Sequence, residues 1–282
     1  MKQTHSIANE TVDHARTREA WTLKRVLTNT YFLNAVSLIV FLLVWDYVAR
    51  EHIFHDSLAR PWDVVKQIVY LTNHKYAGTN LWGHIWASTR RVLIGFSIAS
   101  VVAVPLGLFM ALNTRVNAAV KPLFDLFKPM PPIAWVTIAV LWFGIGETSK
   151  VFIIVIGSFV PCLLNAYNGV RLVDPELYDV IRVLGGSRRD QIFHVCFPAS
   201  FPAVFAGLQI SLSVAWTCVL AAELTSSRTG LGFLIKRGMD TYKPTLVLGG
   251  MLLIAAAAWL TSQLVNILEK RLCPWKRHIE NL

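Results

Sequence analysis

Charged side chains are scarce in this 282-residue sequence, where Asp, Glu, Lys and Arg together make up 16% of the residues. Soluble globular domains usually contain about 25% charged residues. Hydrophobic residues reach 54% instead. This balance argues against soluble domains and predicts a chain that crosses a membrane several times, with helices as its spanning elements.

The sequence also lacks the short motifs of common catalytic and nucleotide sites. No G-x-x-x-x-G-K-[ST] loop occurs, so we expect no ATP site, cofactor or metal in this chain. No H-E-x-x-H or G-x-S-x-G motif is present either. Glu147, Glu223, His84 and His194 are predicted on opposite sides of the membrane. An intramembrane enzyme is therefore the weakest alternative, and any energy from ATP has to come through another polypeptide.

Cysteine is rare as well, and its four copies share no metal or redox spacing. We expect them to be free thiols. The net charge of +10 could indicate nucleic acid, but no basic face with interleaved aromatic residues is visible. We interpret the charge as a determinant of membrane orientation and expect no nucleic-acid partner. The four cysteines are Cys162, Cys196, Cys218 and Cys273.

Six apolar segments predict an all-α, polytopic membrane protein with six transmembrane helices. A bilayer core requires about 20 residues of helix. The third segment is the shortest, because four prolines between residues 122 and 132 prevent regular helix before about residue 133. The predicted spans are 31–48, 92–112, 133–143, 151–170, 203–224 and 246–268.

The distribution of Lys and Arg predicts the orientation of these spans. With the amino terminus inside, 16 of the 27 Lys and Arg residues lie on the cytoplasmic side. Both termini are therefore expected in the cytoplasm, together with the polar segment 174–198. The expected regions are a cytoplasmic tail at 1–29, a first span and external loop at 30–79, a core at 80–268 and a basic cytoplasmic tail at 269–282.

The polar segment 174–198 is predicted to form two short helices around a turn. Asp174 can cap the first helix, and apolar residues recur on it at i, i+3, i+4 and i+7. Ser187 and Asp190 form a capping box for the second helix, which Pro198 is expected to limit. The apolar stripe either folds back on the protein's own helices or binds a partner. The stripe consists of Leu177, Val180, Ile181 and Leu184, and Gly185 and Gly186 follow it.

The spacing in this segment resembles the E-A-A-x3-G-x9-I-x-L-P signature of ABC importer permeases. Gly185 and Pro198 match it, Asp179 stands for the Glu, and the two alanines are replaced by Val180 and Ile181. Further runs resemble permeases of the nitrate/sulfonate/taurine/bicarbonate importers, from residue 80 to residue 275. These runs are KPMPPIAWVTIAVLWFGIGETSK from Lys128, LGGS from Leu184 and LAAEL from Leu220.

The resemblance implies a type I ABC importer permease fold, a homodimer, and a bacterial cytoplasmic (inner) membrane location. It also implies two ABC ATPase subunits, which would bind ATP and Mg²⁺, and an extracytoplasmic solute-binding protein. Rigid-body movement of the coupling segment would link ATP hydrolysis to alternating access. The residues that this resemblance assigns to ATPase coupling are Asp174, Glu176, Leu177, Asp179, Val180, Ile181, Leu184, Gly185, Gly186 and Pro198.

Polar side chains on the fourth and fifth spans are candidates for a solute path, since a helix packed only in lipid has no reason to carry them. The alternative is that Ser and Thr bond to their own helix and that Asn joins helices. Gly230-Leu231-Gly232 also resembles a family feature, but glycines are common in turns. The candidate path residues are Ser158, Asn165, Asn168, Gln209, Ser213, Trp216, Thr217 and Glu223.

The run Trp142 to Glu147, WFGIGE, most resembles the sulfonate and taurine branch. This resemblance and the basic outer loop predict a small anionic solute, a sulfonate or taurine first and nitrate or bicarbonate next. A channel or secondary transporter remains an alternative, although the central spans lack acids for ion coupling. A membrane anchor or receptor subunit is a further alternative, but it would need neither polar stripes nor the glycine hinge.

Overall fold

The structure is a computed structural model that describes residues 30–53 and 57–275. These ranges are helical, with one isolated bridge between Tyr76 and Thr79 outside the helices. The all-α prediction is confirmed. The predicted tail at 1–29 and the chain end beyond residue 275, and with them the sidedness of both termini, lie outside the described residues.

Ten helices longer than one turn organise the described chain, and five of them are long and apolar enough to cross a membrane. A sixth candidate span is the pair α4 and α5, which are bent by 76° around the turn Pro132–Ala134. The helices are α1 (Thr30–Arg50), α2 (Pro61–Asn73), α3 (Leu81–Leu112), α4 (Thr114–Phe127), α5 (Trp135–Phe143), α6 (Glu147–Arg171), α7 (Pro175–Val183), α8 (Phe197–Ser226), α9 (Leu231–Asp240) and α10 (Pro244–Leu272).

The chain divides into two compact units, residues 1–64 and 65–282. In the first unit, Asp46 near the end of α1 accepts from Arg60 at 3.1 Å and pairs with Arg50 at 2.7 Å. The indole N–H of Trp45 donates to the Ala59 carbonyl at 3.1 Å. These contacts hold the loop after α1 against its last turns.

The second unit has its core between α3, α6 and α8. Small and β-branched residues let these helices approach closely, as is typical of membrane bundles. Helices α9 and α10 complete the same core with Leu231, Leu234 and Leu246. Its buried centre includes Val92, Ile153, Ile154, Leu212, Ala215 and Val219.

Two helices are longer than the sequence suggests. The amphipathic lead-in before residue 92 continues without a break into the second span, so that α3 has 32 residues and carries Pro105 inside it. Pro198 does not end a helix either. A π-helical segment, Gln191–Cys196, runs directly into α8, and Pro198 is the second residue of α8.

Candidate functional site

Capping contacts fix both ends of helix α7. The Asp174 side chain accepts from the Glu176 backbone N–H at 3.1 Å. At the other end Gly185 has φ +78°, a left-handed conformation that glycine adopts without strain. The Gly186 N–H donates to the Ile181 carbonyl at 2.9 Å, which closes the end of the helix. The predicted cap and hinge are therefore present around a nine-residue helix.

Three of the four residues of the apolar stripe on α7 are left uncovered by the described part of the chain, and Ile181 is half-buried. Leu177, Val180 and Leu184 are 46%, 56% and 77% exposed, and no residue of α7 is buried. Asp179 is also exposed and pairs only locally with Arg182, at 3.0 Å. Within the described chain the stripe thus lacks an apolar partner, which disfavours the fold-back alternative.

One side chain fastens α7 to the helix that follows. Tyr178 is half-buried and forms a hydrogen bond with Cys196 in the π-helical segment. Burial, followed by this hydrogen bond, raises the pKa of Tyr178 to about 12. The hydroxyl therefore stays protonated at neutral pH. The link joins α7 to the chain that leads directly into α8.

A buried polar cluster joins α3, α8 and α9 at the end of the bundle opposite α7. The Arg91 guanidinium donates to the Glu223 carboxylate at 2.6 Å, and both side chains are at most 2% exposed. The Ser88 hydroxyl and the Gly232 N–H donate to the same carboxylate at 2.8 Å. The Leu231 N–H in turn donates to Ser88 at 2.8 Å. Every charge in this cluster is compensated, as burial requires.

The other edge of Arg91 reaches α6. Its Nε and NH2 atoms donate to the two oxygens of Glu147, both at 2.7 Å. Glu147 is 48% exposed and also accepts from Lys150 at 3.1 Å. Arg91 therefore joins one fully buried carboxylate to one half-solvated carboxylate, and the cluster fastens the ends of α6, α8 and α9 to α3.

The glycines at the start of α9 are required by this cluster. Gly230 has φ +123°, and a Cβ there would lie 2.4 Å from the Glu223 carboxylate. The Gly230 N–H also donates to Nδ1 of buried His84 at 3.1 Å. In the sequence, the Gly230-Leu231-Gly232 run resembles a common turn and does not by itself indicate this cluster. The acid in the run LAAEL, which these glycines enclose, is the residue that could have indicated it.

The candidate path residues divide into two groups. Gln209 donates to Asn266 at 2.6 Å and to Glu269 at 2.8 Å. The Trp216 indole donates to Thr261 at 3.0 Å. Ser158 is fully buried and donates to the Ser211 carbonyl at 3.3 Å, while Glu223 belongs to the polar cluster. This first group joins helices to one another.

The second group is exposed at the surface of the chain. Ser213 and Thr217 lie one turn apart on α8, and each bonds back to the carbonyl four residues earlier at 3.2 Å. Asn168 is exposed on α6, and half-buried Asn165 donates to the Pro161 carbonyl at 2.9 Å. The exposed face of α8 also includes Ile210, which is 50% exposed.

The sequence of this chain matches a known protein family and several known proteins. Residues 103–278 match the family of binding-protein-dependent transport system inner membrane components. The taurine transport system permease protein TauC of Escherichia coli is 31% identical over 276 residues, which cover 97% of this chain and 99% of TauC. A putative aliphatic sulfonates transport permease, SsuC of Bacillus subtilis, is 32% identical over 71% of this chain and 72% of SsuC.

Two further comparisons agree with these. The nitrate import permease NrtB of Synechocystis is 30% identical over 85% of this chain and 88% of NrtB. Among solved structures, a chain of the MetNI methionine ABC transporter in an inward-facing conformation aligns with a TM-score of 0.58. That alignment covers 68% of this chain and 97% of the other at 15% identity, so that it shows the fold alone.

Proposed function

Because the chain belongs to the family of binding-protein-dependent transport system inner membrane components, we propose that it is the permease subunit of an ATP-driven importer of a small anion. The family is one of transport permeases, which are not enzymes. The uncovered stripe on α7 is the observation that supports coupling of this permease to ATP hydrolysis. A capped helix with three exposed apolar side chains and no buried residue is suited to bind another protein.

The partner proposed for α7 is an ABC ATPase subunit. The chain has no phosphate-binding loop of its own, so nucleotide energy would enter through such a partner. Asp174, Gly185 and Gly186 support this by fixing the two ends of α7. The helix can then transmit movement as a rigid body through Tyr178 to the π-helical segment.

Taurine or another sulfonate is the first proposal for the solute, and nitrate or bicarbonate the second. The relatives above are named for taurine, aliphatic sulfonates and nitrate, all of which carry an anionic group. An extracytoplasmic solute-binding protein would deliver the solute. A channel without an ATPase is the competing function, which the uncovered stripe on α7 disfavours.

A second copy of the permease is proposed to complete the solute path, as a homodimer. Ser213 and Thr217, which remain exposed one turn apart on α8, support a path along this face of the helix. Each hydroxyl bonds to a carbonyl of its own helix, and its second lone pair is open to water in a path between two copies.

Reconstitution tests the proposed function directly. The permease, an ABC ATPase partner and a solute-binding protein would be placed in proteoliposomes, and uptake of labelled taurine, ethanesulfonate and nitrate measured. We expect uptake only with hydrolysable ATP and all three components. Equal uptake by the permease alone would instead assign the chain to channels or secondary transporters.

Cysteine labelling tests the position of the path on α8. In a background without the four native cysteines, we expect Ser213→Cys and Thr217→Cys to react at least about ten times faster with a water-soluble thiol reagent than Leu212→Cys and Trp216→Cys. Neighbouring positions are rotated by about 100° on the helix, and Leu212 and Trp216 are 2% and 3% exposed.

Trapping nucleotide on the ATPase supplies the control for that experiment. Labelling at Ser213 and Thr217 should change on trapping if they line a path with alternating access. Ile210→Cys, on the same exposed face, reports whether the face meets water or lipid. Equal rates at all positions, unchanged by nucleotide, would contradict a path along α8.

A further inference from the structure

A cavity of about 620 Å³ lies between the bent pair α4–α5, helix α6 and helix α8. This size falls in the range of small-molecule sites, roughly 300–1,000 Å³. Its wall is apolar except for one cation and one indole. The lining residues include Phe124, Lys128, Trp135, Gly157, Val160 and Val214.

The cavity lies near the middle of the membrane. Its α6 wall is formed by residues between 155 and 163, and α6 extends from Glu147 to Arg171. Those wall residues are therefore the central turns of a 25-residue candidate span. In secondary transporters, solute sites near the bilayer midplane are typically built at interrupted helices. The break between α4 and α5 supplies such an interruption.

Lys128 is the only charged residue among the described residues of the wall. It follows the last residue of α4, its side chain is exposed, and it forms no salt bridge within the described chain. The acid one turn earlier, Asp125, is paired with Lys121. Lys128 therefore gives the described wall its one positive charge.

The electrostatics of the cavity favour an anion. The amino-terminal end of α5, with its preceding turn Pro132–Ala134, lies at the same break and carries a partial positive charge. The carboxyl end of α4 carries a partial negative charge there, and these two partial charges oppose each other. Lys128 adds a full positive charge. None of the described wall residues is a carboxylate, so a cationic group in the cavity would lose its water without gaining a partner.

We propose that this cavity binds the transported solute, as a small anion with an aliphatic part and without a cationic group. Lys128 contacts the anionic group, and the apolar wall around Val160 and Val214 contacts the aliphatic part. This inference rests on the proposed function and narrows it, since an alkanesulfonate fits the cavity better than taurine, whose ammonium group would have no counter-charge there.

Fluorescence quenching at Trp135 tests the binding site. The probe is 2-bromoethanesulfonate, in which a quenching bromine takes the place of the amine of taurine. The permease is held with its ATPase in lipid nanodiscs, and the signal of Trp135 is the difference between the natural protein and Trp135→Phe. We expect saturable quenching of that difference signal. Excess ethanesulfonate should displace the probe and reverse the quenching, and taurine should need an about ten-fold higher concentration to do so.

Charge variants identify the group that holds the anion. Lys128→Gln should lower the affinity for the probe by roughly ten-fold or more, which is the usual effect of losing a charge-assisted hydrogen bond. Lys128→Arg should retain most of the affinity. The matched control is Arg115→Gln, which removes an exposed cation from the same helix outside the cavity wall. Equal affinities of Lys128→Gln and Arg115→Gln would overturn the role of Lys128.

A parallel experiment separates a solute from a lipid. Nanodiscs containing brominated phosphatidylglycerol replace the soluble probe. Quenching of Trp135 by this lipid, with none by 2-bromoethanesulfonate, would assign the cavity to an anionic lipid and overturn the proposal. Absence of quenching by both probes would show a closed cavity, for example one filled by a second copy, and would also overturn it.

The outcome is independent of the test of the proposed function. Binding is measured without ATP turnover, so a failure of ATP-dependent uptake leaves the quenching result interpretable. Conversely, unaltered uptake and substrate ranking in Lys128→Gln would reject this cavity as the solute site while leaving the importer function intact. Preference for taurine over ethanesulfonate in binding would reject the exclusion of a cationic group.

Discussion

Arg91→Leu is expected to lower the free energy of unfolding by about 3–5 kcal/mol, the typical cost of removing one partner from a buried ion pair. The substitution leaves the Glu223 carboxylate, 1% exposed, without its cation. It also removes the bond from NH1 to the Thr229 carbonyl at 2.9 Å, which helps to position the start of α9. The measurement is an SDS unfolding titration in mixed micelles, together with the amount of permease in membranes.

Two control variants separate charge burial from general damage. Arg90→Gln removes the neighbouring exposed cation, which lies 3.6 Å from Glu147, and is expected to cost no more than about 1 kcal/mol, because solvent screens that pair. Arg91→Leu combined with Glu223→Leu removes both buried charges and should recover part of the loss. A loss for Arg91→Leu as small as that for Arg90→Gln would show that the cluster does not stabilise the bundle.

Leu184→Asp and Val180→Asp are expected to abolish copurification of the ATPase and ATP-dependent uptake. Each places a charge in a contact where a buried aliphatic side chain contributes about 1.5–3 kcal/mol. One such loss weakens binding by roughly ten- to a hundred-fold, and both together would prevent isolation of the complex. Membrane levels should stay normal, since both side chains are exposed in the permease.

Helix α7 offers a matched control for this experiment. Arg182 is 67% exposed and lies about 160° around the helix from both Val180 and Leu184. Arg182→Asp, which places the same acid on the opposite face, should therefore leave copurification and uptake nearly unchanged. Equal losses at all three positions would mean that any acidic substitution disrupts α7. Undiminished copurification of the ATPase with Leu184→Asp would show that the stripe does not contact the ATPase.

Local chemistry made α7 predictable from the sequence. Asp174, the i, i+3, i+4, i+7 stripe and Gly185 act over a few residues, and the structure shows each of them in its expected place. The apolar segments were equally clear, because a bilayer sets the length of a span. The π-helical segment before Pro198 was not predictable in this way, since continuation of the helix depends on packing against the bundle rather than on the proline alone.

The polar cluster could not be predicted because its members are distant in sequence. Arg91 and Glu223 are 132 positions apart, and Arg91 and Glu147 are 56 apart. Periodicity also could not separate polar residues that face a path from those that join helices. Gln209 and Trp216 share the polar character of Ser213 and Thr217, yet their side chains bond to α10. Placement in the path thus stays a prediction for all four.

The uninterrupted helical stretch from Arg188 to Ser226 has a mechanical consequence. At 1.5 Å per residue it is about 58 Å long, almost twice the ~30 Å bilayer core. If Glu223 serves as its pivot, the end beside α7 is about 50 Å away and Ser213 about 15 Å away. A tilt of about 10° would then displace the first by roughly 9 Å and the second by only about 2.6 Å. Tilting of this helix would therefore convert a large movement at the ATPase into a small movement beside the solute.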